Sequence, residues 1–284
     1  MRTIVVALVL LGCNKSIPNE GYVDVGSGWN ASCGLKADGA VYCWDGMESP
    51  GSEHVFTTLD VGYSVACGIK EDKTLLCWGT SEWDDDTGMD TLPVWEAPTG
   101  TYLDVGVGRS HACALGTDGF VVCWGGPASE EPYVDLPTEA FVSMASGAGH
   151  GAALSADGTL SSWGNYQPTE KPTESFASLE AGYREMCGLT LAGTIACWAD
   201  EDPWVDEVPS TGSWLGISAG LASTGCGVKA DGALECWGGG DTASDPSGSF
   251  TAVAVGGSHA CAVKDDTSIV CWGSGTSPDG LKPI

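Results

Sequence analysis

The sequence predicts an all-β chain folded as a seven-bladed β-propeller, and three observations carry that expectation. Trp44, Trp78, Trp124, Trp163, Trp198, Trp237 and Trp272 recur at intervals of 34 to 46 residues. Cysteines ten residues apart accompany six of these seven tryptophans. Of 284 residues, 42 are glycine and 14 proline, about twice the usual share of helix breakers, which excludes long helices. A hydrophobic content of 43% excludes wholesale disorder. A unit of roughly 38 residues cannot bury both faces of its own sheet, so neighbours must stack. Seven sheet-forming units of this length fit a closed ring of blades.

Residues 1–12 read as a signal peptide. Arg2 precedes the apolar stretch Thr3 to Leu11, which is too short to span a bilayer. Its end, Leu10-Leu11-Gly12-Cys13, resembles the bacterial lipobox, in which the cysteine is lipidated and becomes the mature N-terminus. Cys13 is therefore the expected lipid attachment site. Residues 13–21 form a short tether, and residues 22–284 form the propeller. Ordinary signal cleavage, with Cys13 a chance residue, is the alternative.

Each unit opens on an aromatic residue: Tyr22, Phe56, Tyr102, Phe141, Phe176, Trp214 and Phe250. Alternating apolar residues and a glycine follow, the pattern of a half-buried strand and its turn. A second run, such as His111-Ala112-Cys113-Ala114-Leu115, leads into a turn at Asp38-Gly39, Asp118-Gly119, Asp157-Gly158 or Asp231-Gly232. Asp-Gly between two such runs signals a hairpin, because glycine accepts the positive φ that the turn demands. A third run, such as Val121-Val122-Cys123-Trp124-Gly125, closes the unit. Each unit is thus at least a three-stranded antiparallel meander, joined to the next by a connector of variable length.

The pattern Phe-x-x-Val-x-x-Gly-x-x-His-x-Cys-Ala-Leu-x-x-Asp-Gly-x-Val-x-Cys-Trp-Gly resembles the repeats of the regulator of chromosome condensation family, over residues 22 to about 273. The resemblance implies a seven-bladed propeller. WD-type propellers fit less well, since only Trp44-Asp45 ends a unit in that way. The best-known nuclear relative is an exchange factor for a small GTPase, but only structural positions match, so none of its functional residues carry over. Bacterial propellers of this appearance are secreted protein-binding modules, which supports binding as a class of function.

Thirteen cysteines less Cys13 leave twelve, in the pairs Cys33/Cys43, Cys67/Cys77, Cys113/Cys123, Cys187/Cys197, Cys226/Cys236 and Cys261/Cys271. Unit four lacks both members, with Ala152 and Ser162 in their places. Joint loss within one unit is what a bond inside the unit predicts. The midpoint of the first pair is Asp38, the centre of the turn, so the two cysteines oppose each other across the hairpin. Directly opposed residues there have Cα atoms about 4.5 Å apart, within disulfide reach. Each such short loop contributes roughly 2–3 kcal/mol by the chain-entropy estimate. Reduced cysteines in a cytosolic core would contradict the export signal, and two thiols per unit without a consistent histidine make a poor zinc site.

With 38 acidic against 11 basic residues the chain carries −27, which excludes nucleic acid as a partner. His111, His150 and His259 occupy one equivalent place in units three, four and seven, and His54 lies elsewhere. The resembled repeat pattern itself has histidine here, so a structural hydrogen bond is their expected role, and a shared metal site is not expected because unit seven is not adjacent to units three or four. Asp84, Asp86 and Asp90 loosely resemble a calcium loop, but Gly88 stands where a carboxylate is needed and no glutamate closes the loop. A solvated acidic connector is the expectation there. No catalytic constellation can be assembled, since the cysteines are already committed. No catalytic residue, metal site or cofactor is expected.

The function expected is that of a non-enzymatic cell-envelope lipoprotein, at the outer membrane or cell surface, whose propeller binds a protein. A passive envelope scaffold is the alternative, and a propeller enzyme acting on an extracytoplasmic substrate is a third reading. Trp83, Trp95 and Trp204 lie in connectors and are the expected partner-binding residues, with Trp83 and Trp204 on one face of the ring. Acidic neighbours of Trp83 and Trp204 favour a partner with a basic surface. Trp29 is left without a role. The tail, residues 275–284, is expected to cover the seam between the last and first blades.

Overall fold

The computed structural model describes residues 20–79, 96–125, 136–164, 172–199, 208–220, 224–238 and 246–273. These form seven antiparallel sheets of three strands, each sheet drawn from one repeat and ordered first, second, third. The chain is a seven-bladed β-propeller. The first strand of each blade is the inner one: Tyr22–Ser27, Phe56–Val61, Tyr102–Val107, Ser143–Ser146, Phe176–Ala181, Trp214–Ala219 and Phe250–Val255. Each inner strand contacts the next, and Phe250–Val255 returns to Tyr22–Ser27, so the ring closes.

Local chemistry accounts for the meander. In blade 1 the Asp38 carboxylate accepts from Ala40 N at 3.1 Å, and Gly39 takes φ 81°. The same aspartate bond recurs at Asp72, Asp118, Asp157, Asp231 and Asp266. Blades 2 and 7 lack the turn glycine, and there Lys73 and Thr267 take φ 65° and 68°.

All six cysteine pairs sit directly opposite one another on the middle and outer strands. Each pair is bonded: Cys33–Cys43, Cys67–Cys77, Cys113–Cys123, Cys187–Cys197, Cys226–Cys236 and Cys261–Cys271. Their Cα atoms lie 4.0 to 4.1 Å apart, which corrects the sequence expectation of about 4.5 Å to a closer approach. Spacing alone treats the two members of a pair alike, and the structure separates them. The middle-strand members, Cys33, Cys67, Cys113, Cys187, Cys226 and Cys261, are sealed at 0 to 1% exposure. On the outer strands Cys43, Cys77 and Cys271 keep 7 to 9%, while Cys123, Cys197 and Cys236 are only half-buried. The outer strand is the edge of each sheet, so the next blade covers it less completely. In blade 4 the same register positions pair Ala152 with Ser162.

The core is not one mass but a layer between each pair of neighbouring blades. Phe56, Leu59 and Trp78 of blade 2 pack on Leu35, Val41 and the Cys33–Cys43 bridge of blade 1. The last layer joins Tyr22, Val25 and Trp44 of blade 1 to Val263, Ile269 and Cys271 of blade 7. The opening aromatics are therefore inter-blade wedges, and all seven are buried. Backbone bonds also cross the seam between the ends of the propeller, from Tyr22 N to Thr267 O at 3.0 Å and from Gly257 N to Gly28 O at 3.1 Å. Cys13, the expected signal segment 1–12 and the tail 275–284 lie outside the described residues.

Candidate functional site: a glycine-ringed mouth over an acidic channel

Each inner strand ends in a tight turn that begins with glycine: Gly28, Gly62, Gly108, Gly147, Gly182, Gly220 and Gly256. These seven form a closed ring. A Cβ added to any of them would overlap the carbonyl oxygen of the next glycine round, and one on Gly256 would meet Gly28 O. Only a residue without a side chain permits this approach. The ring frames one mouth of the central channel and holds seven turns in fixed positions.

In blades 1 to 5 the residue after the ring glycine forms the rim. Trp29, Tyr63, Arg109, Ala148 and Tyr183, from blades 1 to 5, line a cup of about 220 Å³. Trp29 and Tyr63 stack with centroids 5.3 Å apart at 18°. The Arg109 guanidinium lies over the Tyr63 ring at 5.9 Å, and Arg184 lies over Tyr183 at 5.5 Å. Trp29, Tyr63, Arg109 and Tyr183 are half-buried, so each presents part of its surface to the cup.

Below the rim the inner strands enclose about 430 Å³ lined by all seven blades. Two positions of each blade face this channel, the third and the fifth counted from the opening aromatic, as alternation along a strand requires. They bring four carboxylates into one space: Asp24 and Asp104 in one layer, Asp60 and Glu180 nearer the mouth. No lysine or arginine lines the channel among the described residues. Asp60 accepts from Val107 N of the next blade at 2.6 Å, and Asp104 from Val105 N at 3.0 Å and Met144 N at 3.3 Å. Asp24 accepts from Val25 N at 2.9 Å.

Burial pushes the Asp60 carboxyl up to about 6; the backbone donors Val107 and Val61 oppose that, and the neighbouring charges of Asp104 and Asp24 add to it. Burial likewise raises Asp24 and Asp104, with their backbone donors pulling the other way. Glu180 is held well above the usual carboxylate range by burial first and then by the charges of Asp60, Asp104 and Asp24.

The three equivalent histidines are buried staples between blades. His111 Nε2 bonds Ser146 Oγ at 3.0 Å, His150 Nε2 donates to Glu185 O at 3.2 Å, and His259 Nε2 bonds Ser32 Oγ at 2.7 Å. Burial lowers His111 and His150 to about 4, and lowers His259 as well. Among the described residues no three His, Cys, Asp or Glu side chains stand close enough to hold a metal ion.

Trp83, Trp95, Trp204 and the acidic stretch Asp84 to Asp90 lie outside the described residues. The rim was not assigned from sequence, although a signal for it exists: the residue after the ring glycine is Trp29, Tyr63, Arg109 and Tyr183 in four of the units. Trp29 gains its role only through the partners that other blades bring to it.

Residues 22–44 match the model of the regulator of chromosome condensation (RCC1) repeat. Among solved structures, the chain is similar to the CRINKLY WD40 ectodomain of the Arabidopsis thaliana receptor kinase ACR4, with 25% identity, a TM-score of 0.73, and 94% of this chain and 99% of that one covered. The entire ectodomain of the Physcomitrella patens receptor kinase CR4 is 24% identical at a TM-score of 0.72, over 93% of this chain and 76% of that one. Prp20p of Saccharomyces cerevisiae, described with its binding to Gsp1p and histones, is 15% identical at a TM-score of 0.66, over 82% and 80%. No curated protein sequence matches the chain.

Proposed function

Starting from a chain built of regulator of chromosome condensation repeats, we propose an exported, non-enzymatic envelope lipoprotein that captures a protein partner at the mouth of its propeller. The observation that carries this reading is the cup of Trp29, Tyr63, Arg109 and Tyr183 fixed on the glycine ring. Binding hot spots are rich in Trp, Tyr and Arg, and a rigid ring lowers the entropy lost when a partner docks. Six disulfides support export, as they persist in oxidising compartments. The similar plant structures are receptor ectodomains, and Prp20p binds protein partners.

The described chain enters blade 1 at Tyr22, at the end of the inner strand remote from the mouth. A lipid on Cys13 would therefore tether the opposite face, where Val23, Leu103, Val142 and Leu215 are exposed, and leave the cup pointing away from the membrane. The tether, residues 14–20, spans at most roughly 25 Å when extended.

Photo-crosslinking on the native envelope tests this reading. A benzophenone side chain replacing Tyr183 should crosslink one protein species, and the same group replacing the exposed Leu191 on the far face should not. Equal yields at both positions, or none at Tyr183, would leave the passive scaffold as the better account. In the same cells Cys13→Ser should release the protein into the soluble fraction.

A further inference from the structure

The face remote from the mouth carries an apolar surface that the fold does not need. Each inner strand runs toward the ring glycines and the middle strand runs back, so the opening aromatics and the Asp-Gly turns share this far face. All seven large apolar side chains exposed among the described residues lie here. Val23, Leu103, Val142 and Leu215 each follow an opening aromatic, and the other three stand beside turns. In six blades the register slips at the residue after the aromatic, which bulges out of the ladder. In blades 2 and 7 that residue is threonine, and its hydroxyl donates to Ile69 O at 3.1 Å and to Val263 O at 3.4 Å. Threonine therefore serves the fold at this place, yet blades 1, 3, 4 and 6 hold valine or leucine there, 46 to 61% exposed. Single exposed apolar side chains are ordinary on a surface, but their confinement to one face is not.

We infer that this far face rests on the headgroup layer of a zwitterionic bilayer, with Val23, Leu103, Val142 and Leu215 dipping into its boundary. This deepens the reading of an anchored lipoprotein and rests on it. The described chain begins at Glu20 on the same face, where Gly21 N donates to Thr267 Oγ1 of the blade 7 turn at 2.9 Å. The expected lipid site, Cys13, lies close before it, so a tether of at most roughly 25 Å keeps this face near the membrane. Tethering raises the effective concentration of surface for the face, so a shallow ring of apolar side chains suffices for contact. Charge selects the headgroup. Of the lysines and arginines among the described residues, Lys36, Lys70, Lys73, Lys229 and Lys264 lie on this face, at the ends of middle strands or in a turn. The turn aspartates stand among them. A headgroup that carries both a phosphate and an ammonium meets both signs, whereas an anionic surface would repel a chain of net charge −27.

The mouth has the opposite character. Its ring glycines offer no side chain, and Trp29, Tyr63 and Tyr183 are half-buried in the cup. Seating the far face on the membrane holds the propeller axis near the bilayer normal and turns the cup outward. The two ends of the ring are thus divided between a lipid surface and a protein partner.

The test couples the chain from Cys13 onward, its six disulfides intact, through the Cys13 thiol to a maleimide lipid in a supported phosphatidylcholine bilayer. Coupling supplies the tether whether or not cells lipidate Cys13. Neutron reflectometry reads the water layer between headgroups and protein. The unmutated propeller should leave no resolvable layer. The fourfold variant Val23→Thr, Leu103→Thr, Val142→Thr and Leu215→Thr takes the residue that blades 2 and 7 already hold, so it should keep its melting temperature. It should drift outward and open a layer of up to roughly 25 Å, the extended tether. Val142→Thr with Leu215→Thr alone, the two most exposed of the four, should open a narrower one. Layers of equal width in all three proteins overturn the inference. So does a dimer of the Cys13→Ser chain in analytical ultracentrifugation that the four threonines dissociate, since a second copy would then occupy the face. Mass spectrometry of the protein from its native envelope separates the two readings. Lipidated Cys13 with equal layers keeps the lipoprotein and rejects the docking face. Unmodified Cys13, with the layer closed in the unmutated protein and open in the variant, rejects the lipoprotein and keeps the face.

Discussion

Asp60→Asn should make the propeller more stable at neutral pH, an unusual result for a half-buried, hydrogen-bonded residue. The folded state raises the Asp60 carboxyl from its ordinary 3.8 to about 6. At about 1.36 kcal/mol per pH unit, the ionised form therefore costs the fold up to about 3 kcal/mol. The sign follows from the direction of the shift. A raised carboxylate pKa means that the unfolded chain ionises more readily, so the penalty is complete above pH 6, shrinks as pH falls, and is gone below about 3.8. An asparagine removes the charge and keeps an oxygen to accept from Val107 N, now at 2.6 Å. Loss of the charge-assisted character of that bond returns about 1 kcal/mol. A net gain of about 1–2 kcal/mol at pH 7.5 remains, worth roughly 2–6 °C in melting temperature for a domain of this size. Scanning calorimetry of both proteins at pH 7.5 and pH 4 reads it directly. A gain of equal size at both pH values, or a loss at pH 7.5, would refute the assignment of the penalty to charge in the channel.

Two further outcomes follow from the same geometry. Gly62→Ala should cost about 3 kcal/mol or more, because its Cβ would overlap the Gly108 carbonyl and the ring cannot yield at one turn without moving its neighbours; chemical denaturation measures it. The buried histidines impose an acid limit: with His111 and His150 lowered to about 4 from 6.5, stability is lost as pH falls through that window. His111→Gln, which keeps a donor for Ser146 Oγ, should flatten the melting temperature between pH 6.5 and 4, and an unchanged slope would argue against the staple.

The strand order within a blade and the cysteine pairing were legible in the linear sequence, because each is settled by local turns inside one unit. Cys33 and Cys43 meet through a single turn, and the same ten-residue spacing recurs wherever that turn does. How far each sulfur is sealed was not legible, since Cys123, Cys197 and Cys236 owe their partial cover to a neighbouring blade. The opening aromatics and closing tryptophans were legible as core because their spacing repeats whatever lies between the units. The channel and the rim follow a different rule. At the third position of the inner strands stand Asp24, Thr58, Asp104, Ser143, Ser178, Gly216 and Ala252, and at the fifth Gly26, Asp60, Gly106, Ala145, Glu180, Ser218 and Ala254. No repeat pattern marks such varied residues, and Asp60 and Glu180 are 120 positions apart in the chain. They share one space because seven inner strands converge on an axis. Their meaning lies in desolvation and in charges contributed by other blades, so it exists only once the ring has closed.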